Sequence, residues 1–238
     1  MLTGNARDHF LQVLEKIRNN VKFGLIRPSD GEHRVIINQT LTNCDFWTYT
    51  SGDIMSEQLI SAVKTSNPNL FIGIQCNSCP FCDKNIHNDM IQNYITCDKS
   101  QITYATIFCN GNWLDFVDFL KKYEKGIYAI TPGTLETPEI YVKGRYVIDK
   151  HLVNNWNHLC DQETENILNF IKDKQDELIC FSAGPLAKIL IPKCMEVNPN
   201  NIYLDVGSTL DVFLKGYEFQ RPYVDTNCCY NKSFCNHI

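Results

Sequence analysis

Arg27-Pro28-Ser29-Asp30-Gly31-Glu32 places two carboxylates one residue apart, between the apolar run Val21 to Ile26 and a helix-like segment from His33 to Asn38. Asp30 and Glu32 at the end of a buried strand suit a hard divalent cation such as Mn2+ or Mg2+. Such a cation takes oxygen ligands and keeps positions open for the phosphates of a nucleotide. Arg27 adds a permanent charge with planar, phosphate-matching geometry. The same residues also suit a plain surface turn, because Pro, Asp and Gly all favour turns.

Other candidates lie far downstream. In Phe181-Ser182-Ala183-Gly184-Pro185, Gly184 permits a tight turn, and Pro185 suits the first position of a helix whose unpaired N–H groups would face a phosphate. A strand-to-helix turn with no ligand explains the segment equally well. Asp205, in Tyr203-Leu204-Asp205-Val206-Gly207-Ser208, stands where a strand ends and suits an acid that orients a sugar hydroxyl or acts as general base. Asp211 is the second candidate for that role, or a helix-start acid. Arg221 is a cation for a diphosphate or a partner for a surface carboxylate. Asn155-Trp156 reads as an acceptor-lining pair or as core.

A rival signal is Cys76-Asn77-Ser78-Cys79-Pro80-Phe81-Cys82 followed by His87. Cys-x-x-Cys is a zinc half-site, and a third cysteine, His87, Cys97 or the tail cysteines Cys228, Cys229 and Cys235 would complete it. Free thiols in a loop are the alternative. The chain holds twelve cysteines. With no basic, then apolar leader at the start, most are expected to be reduced thiols in a cytoplasmic protein, with Cys44, Cys109, Cys180 and Cys194 buried.

Elements that would position these residues alternate along the chain. Phe10, Leu11, Leu14 and Ile17 share one face of a helix over 6–20, and 21–26 reads as a strand. Helices follow at 56–64, 87–96, 113–123, 162–173 and 185–191. Strands follow at 69–74, 101–108, 126–130, 139–142, 177–182 and 201–206. Strands separated by helices predict a Rossmann-like α/β domain, with a mostly parallel sheet and helices on both faces. In such sheets ligands bind beyond the carboxyl ends of the strands. Residues 27–32, 184 and 205–211 all fall at such ends, so three distant segments are expected on one rim.

Arg27-Pro-Ser-Asp-Gly-Glu32 resembles the Arg-x-x-Asp-Gly-Glu signature of GT-D type glycosyltransferases. The Gly184-Pro185 and Asp205-Val-Gly207 elements and Arg221-Pro222-Tyr223 are similar to the later motifs of that family. Together these run from about Val21 to Tyr223. The family's best-described branch carries His after the Asp-Val-Gly element, where this chain has Ser208. The resemblance implies a GT-D-like domain over 1–223, followed by a Cys-rich tail over 224–238. It implies transfer of a sugar from a nucleoside diphosphate, a UDP-sugar, to a glycan or other hydroxyl acceptor. Asp30 and Glu32 would hold Mn2+ or Mg2+, Arg27, Gly184, Pro185 and Arg221 would hold the phosphates, and Asp205 or Asp211 would act on the sugar or the acceptor proton.

Composition fits this class. At 238 residues, 44% hydrophobic and 21% charged, the chain can bury a core without staples. A net charge of −5 argues against a nucleic-acid partner, and no apolar run reaches the ~18 residues needed to span a bilayer. Two other readings use different residues. A zinc-bearing interaction module would rest on the cysteines, and an S-adenosylmethionine-dependent methyltransferase on Leu204 to Gly207. In methyltransferases that glycine motif normally opens the domain.

Overall fold

The structure, a computed structural model, describes residues 4–43, 47–77 and 82–222. Cys44, Cys79, Tyr223 and the tail at 224–238 lie outside them. The elements are α1 (Ala6–Arg18), β1 (Gly24–Ile26), α2 (Asp30–Ile36), β2 (Leu41–Thr42), β3 (Thr48–Tyr49), α3 (Met55–Val63), β4 (Leu70–Ile74) and α4 (Lys84–Asp89). They continue with β5 (Ile102–Tyr104), α5 (Trp113–Lys121), β6 (Ile127–Thr131), β7 (Val142–Val147), α6 (Trp156–Ile171), β8 (Leu178–Phe181), α7 (Pro185–Val197), β9 (Ile202–Asp205) and α8 (Asp211–Leu214).

Seven strands form one sheet in the order β5-β4-β1-β9-β8-β6-β7, and every pairing in it is parallel. The expected α/β architecture is therefore present. From β1 the chain moves outward through β4 to β5, then crosses to the far edge and returns to the centre at β9. The order thus reverses between β1 and β9, the switch point where parallel α/β sheets open a crevice for ligands. Gly24 pairs with Tyr203 and Leu25 with Leu204, so the segments that leave these strands, at Arg27 and at Asp205, emerge side by side.

Alternation along each strand builds two cores. Ile26, Ile72, Ile74, Ile130, Ile179 and Tyr203 face α2, α3, α6 and α7. Leu25, Phe71, Ala129, Cys180 and Leu204 face α1, α5 and α8. All five residues of β4 are buried, as expected of an interior parallel strand. In α1, Asn5 Oδ1 accepts from the N–H groups of Arg7 at 2.9 Å and Asp8 at 3.0 Å, and Asp8 returns a bond to the Asn5 N–H at 3.1 Å. That capping box starts the helix. Phe10, Val13, Leu14 and Ile17 then bury its inner face, at about 1.5–3 kcal/mol per large side chain. No helix of the described residues is long and apolar enough to cross a membrane.

Several boundaries differ from the sequence expectation. The helix expected from His33 begins at Asp30, which puts Asp30 and Glu32 in its first turn. The strand expected over 139–142 is β7, at 142–147 and with mostly half-buried residues; Gly144 and Arg145 break its apolar pattern at the sheet edge. The helix expected over 87–96 starts at Lys84 and passes into a π-helical turn at Met90–Tyr94. α7 continues through Pro192 to Val197. The short pair β2–β3 carries no periodicity that a sequence reading would register.

Candidate active site

A cavity of about 420 Å³ opens at the switch point. Arg27, Lys150, Lys188, Lys215 and Arg221 line it, opposed by Asp30, Glu32, Asp149 and Asp211. Five cations against four acids suit a ligand that is itself charged. A larger hollow, about 680 Å³, lies between α1 and α5. It holds none of the motif residues, so the switch-point cavity is the chemically relevant one.

Its floor is an ion network that ties three distant segments together. Lys188, in the first turns of α7, is 4% exposed. Its Nζ lies 3.1 Å from Glu32 Oε1 and 3.0 Å from Asp205 Oδ2, and it donates to the Gly184 carbonyl at 3.1 Å. An ammonium has three N–H donors, and here each has an acceptor. Burial pulls the Lys188 ammonium down, but Asp205 and Glu32 outweigh it and hold it above its ordinary value. Burial pushes the Glu32 carboxyl up, but Lys188 and the Ser29 N–H outweigh that and hold it below its ordinary value. Both groups are therefore ionised at neutral pH.

Glu32 also closes its own helix. Its Oε2 accepts from the Ser29 N–H at 3.0 Å, half of a Ser-x-x-Glu capping box. Its two oxygens thus serve the cap and the ammonium. Asp30 is different: it is exposed on the cavity wall, and the hydrogen bond recorded to its carboxylate comes from the Ser29 hydroxyl at 3.3 Å. Gln75 Nε2 steadies that hydroxyl at 3.2 Å. This donor set fits a cation held by one carboxylate, with phosphate and water completing the shell. For Glu32 to join, a second cation would have to approach the Lys188 ammonium. Among the described residues no group of three His, Cys, Asp or Glu side chains could hold a metal ion.

Asp205 is fully buried and lies beneath the cavity rather than on its wall. Its Oδ2 accepts from the Arg27 N–H at 2.9 Å and its Oδ1 from the Gly207 N–H at 3.1 Å, besides the contact with Lys188. The structure therefore shows an acid that holds β1, β9 and α7 together, where the sequence suggested one at the sugar. Arg27 bonds through Nε to the Asp205 carbonyl at 2.6 Å and through Nη1 to the Ala105 carbonyl at 2.7 Å. Its guanidinium lies 5.3 Å from the Phe108 ring centroid. Nη2 keeps no protein acceptor among the described residues. Gly207 has φ +52°, and a Cβ there would sit 2.8 Å from that Nη2, so a side chain at 207 would displace the guanidinium.

Asp211, on the opposite wall, is 1% exposed. Its Oδ1 accepts from the Ser182 hydroxyl at 2.7 Å and pairs with Lys215 at 2.9 Å. Gly184 and Arg221 line the cavity, Pro185 is the first residue of α7, and Gly184 is its N-cap with φ +55°. Trp156 is wholly buried and donates to Gln58 at 2.6 Å, which makes it core and not an acceptor wall. Several charged or aromatic cavity residues have no counterpart in the sequence reading, among them Asp149, Lys150, Lys215, Lys188 and Trp47. Lys188 was hidden inside an apolar helix, where a lone charged residue among Leu186 to Ile191 was the available signal; Trp47 was hidden beside a two-residue strand.

Among the described residues Cys97, Cys160, Cys180 and Cys194 are free thiols, and burial pushes those of Cys180 and Cys194 far up. Cys76 is buried and His87 donates through Nδ1 to the Gln75 carbonyl at 2.8 Å. Cys79 and the tail cysteines lie outside the described residues.

No family model matches the sequence, and no curated protein matches it. Solved structures do. A selenomethionine structure of domain of unknown function 1792 superposes with a TM-score of 0.58 at 16% identity, covering 84% of this chain and 77% of that one. A structure described as showing that this domain "has a distinct glycosyltransferase fold" gives 0.56 at 14% identity, covering 86% and 79%. One described as a new glycosyltransferase from Streptococcus sanguinis gives 0.55 at 14%, covering 86% and 82%. The chain has the fold of these domains. At such low identity the likeness concerns the fold, and the chemistry has to be argued from the cavity.

Proposed function

We propose that the protein is a glycosyltransferase that takes a sugar from a nucleoside diphosphate, a UDP-sugar, and passes it to a hydroxyl acceptor. The observation that carries this reading is the convergence of Asp30, Arg27 and the start of α7 around one cavity at the switch point. Likeness to structures described as glycosyltransferases supports it.

In this reading the diphosphate lies between Asp30 and the N-terminus of α7, facing Arg27 and Lys215. Mn2+ or Mg2+ held by Asp30 would neutralise charge on the leaving diphosphate. Glu32 fixes the turn that presents Asp30, and Lys188 with Asp205 fixes the floor. Oriented donors in a buried floor need little reorganisation as charge develops, which is how such sites lower a barrier. Asp211, held by Ser182 and Lys215, is the acid placed to orient a sugar hydroxyl or accept the acceptor's proton.

A thermal-shift panel of nucleotide-sugars, with and without Mn2+, tests the assignment. A ligand of the native state raises apparent stability by mass action. A UDP-sugar that stabilises more strongly with Mn2+ is expected; no response to any nucleotide-sugar would overturn the proposal.

A further inference from the structure

The chain holds three tryptophans, and two have their indole N–H satisfied inside the protein. Trp113 donates to the Thr209 carbonyl at 3.0 Å and Trp156 to Gln58 Oε1 at 2.6 Å. Buried tryptophans usually find such a partner. Trp47 is the exception. It is 7% exposed, it lines the switch-point cavity, and its N–H has no partner among the described residues.

Two glycines lie beside it. A Cβ at Gly31 would lie 3.5 Å from Trp47 Cζ2, and one at Gly184 would lie 3.7 Å from Trp47 Nε1. The indole therefore spans from the Asp30-Gly31-Glu32 turn to the start of α7, with its N–H at the α7 end. There the backbone N–H groups of Ala183 and Gly184 also have no acceptor among the described residues. The 13-residue α7 directs its positive dipole end to the same place, and Lys188 bonds the Gly184 carbonyl at 3.1 Å. Donors and positive potential meet at one point, which selects an anionic oxygen over a ligand donor.

We propose that Trp47 and the start of α7 form one oxyanion subsite, in which the indole N–H donates to a phosphate oxygen of the nucleoside diphosphate. This rests on the nucleotide-sugar reading for the identity of the ligand, while the subsite itself requires only a phosphate. The ring is buried, which restrains the donor, and Asp30, on the other side of the turn, would be left to hold a cation.

Two measurements test it. Trp47→Phe preserves an aromatic ring and deletes the N–H. By titration calorimetry it should weaken inorganic pyrophosphate in EDTA, and UDP with Mn2+, by about tenfold or more, the scale of a hydrogen bond to a charged group. Should that variant fail to fold, wild-type protein labelled with 15N-tryptophan supplies the answer. Pyrophosphate should move one indole signal and leave the two hydrogen-bonded ones in place. Undiminished binding by Trp47→Phe, binding with all indole signals unmoved, or no binding of either probe would overturn the subsite. Pyrophosphate bound through Trp47 by a protein that responds to no nucleotide-sugar would leave the subsite standing and remove the transferase reading. Sugar transfer with Trp47→Phe equal to wild type would do the reverse.

Discussion

Replacing Lys188 by Met removes the cation at the centre of the cavity floor while roughly keeping its length and volume. Glu32 Oε1 and Asp205 Oδ2 then lose contacts at 3.1 and 3.0 Å. Glu32 keeps the Ser29 N–H and Asp205 keeps the Arg27 and Gly207 N–H groups, so neither acid is stripped bare. Breaking a buried ion pair from one side costs about 3–5 kcal/mol, and that range is expected for Lys188→Met at pH 7. It is a large share of the roughly 5–15 kcal/mol that holds a domain folded. The pH dependence follows from the sign of the shifts. In the wild type Glu32 is held below its ordinary value of 4.5, so its contribution is full above that pH and fades as pH falls through the folded value. Lys188 is held above 10.5, so its contribution is full below that pH and fades as pH rises beyond it. In the variant Glu32, without the ammonium, is penalised only while ionised. The difference between the two proteins should therefore be greatest from about pH 5 to 10 and shrink below pH 4.5. Urea melts across this range measure it. A loss under 1 kcal/mol at pH 7, or one that does not change on acidification, would refute the network.

Asp30→Asn should abolish the strengthening of UDP binding by Mn2+ while leaving pyrophosphate binding in EDTA largely intact, as read by calorimetry. Asp211→Asn should spare UDP binding but cut sugar transfer by roughly a hundredfold, the scale of losing a positioned acid or base; transfer at the normal rate would remove Asp211 from the chemistry. Gly184→Ala should destabilise by about 1–3 kcal/mol through backbone strain at φ +55°. Crowding is not the cause, since the added methyl would meet Trp47 at an ordinary 3.7 Å. Gly207→Ala should both destabilise and weaken pyrophosphate, because its methyl would press on Arg27 Nη2 at 2.8 Å.

What the sequence revealed was the frame. Apolar runs at 69–74 and 177–182 read as buried strands because interior parallel strands are apolar on both faces, and the rule that ligands sit beyond strand ends brought residues 27–32, 184 and 205 to one rim. Roles within the rim were less legible. Ser29 and Glu32 have capping-box spacing, which indicates a helix starting at Asp30, yet the same acid also fits a metal motif; the 3.0 Å bond to the Ser29 N–H and the 3.1 Å contact with Lys188 show what Glu32 holds. Asp205 sits at a strand end as expected, but whether a strand-end acid points into the cavity or under it depends on its neighbours. Here Lys188, from the helix expected over 185–191, pairs with it at 3.0 Å beneath the cavity. Trp47 follows a strand of two residues and precedes another, too short for any periodicity.

A structure of the protein with UDP and Mn2+ tests the central claim most directly. The account predicts the diphosphate between Asp30 and the start of α7, within reach of Arg27 and the Trp47 indole, with Asp205 beneath it and out of contact. UDP bound in the hollow between α1 and α5, or in the switch-point cavity with its phosphates turned away from Asp30 and Gly184, would contradict it.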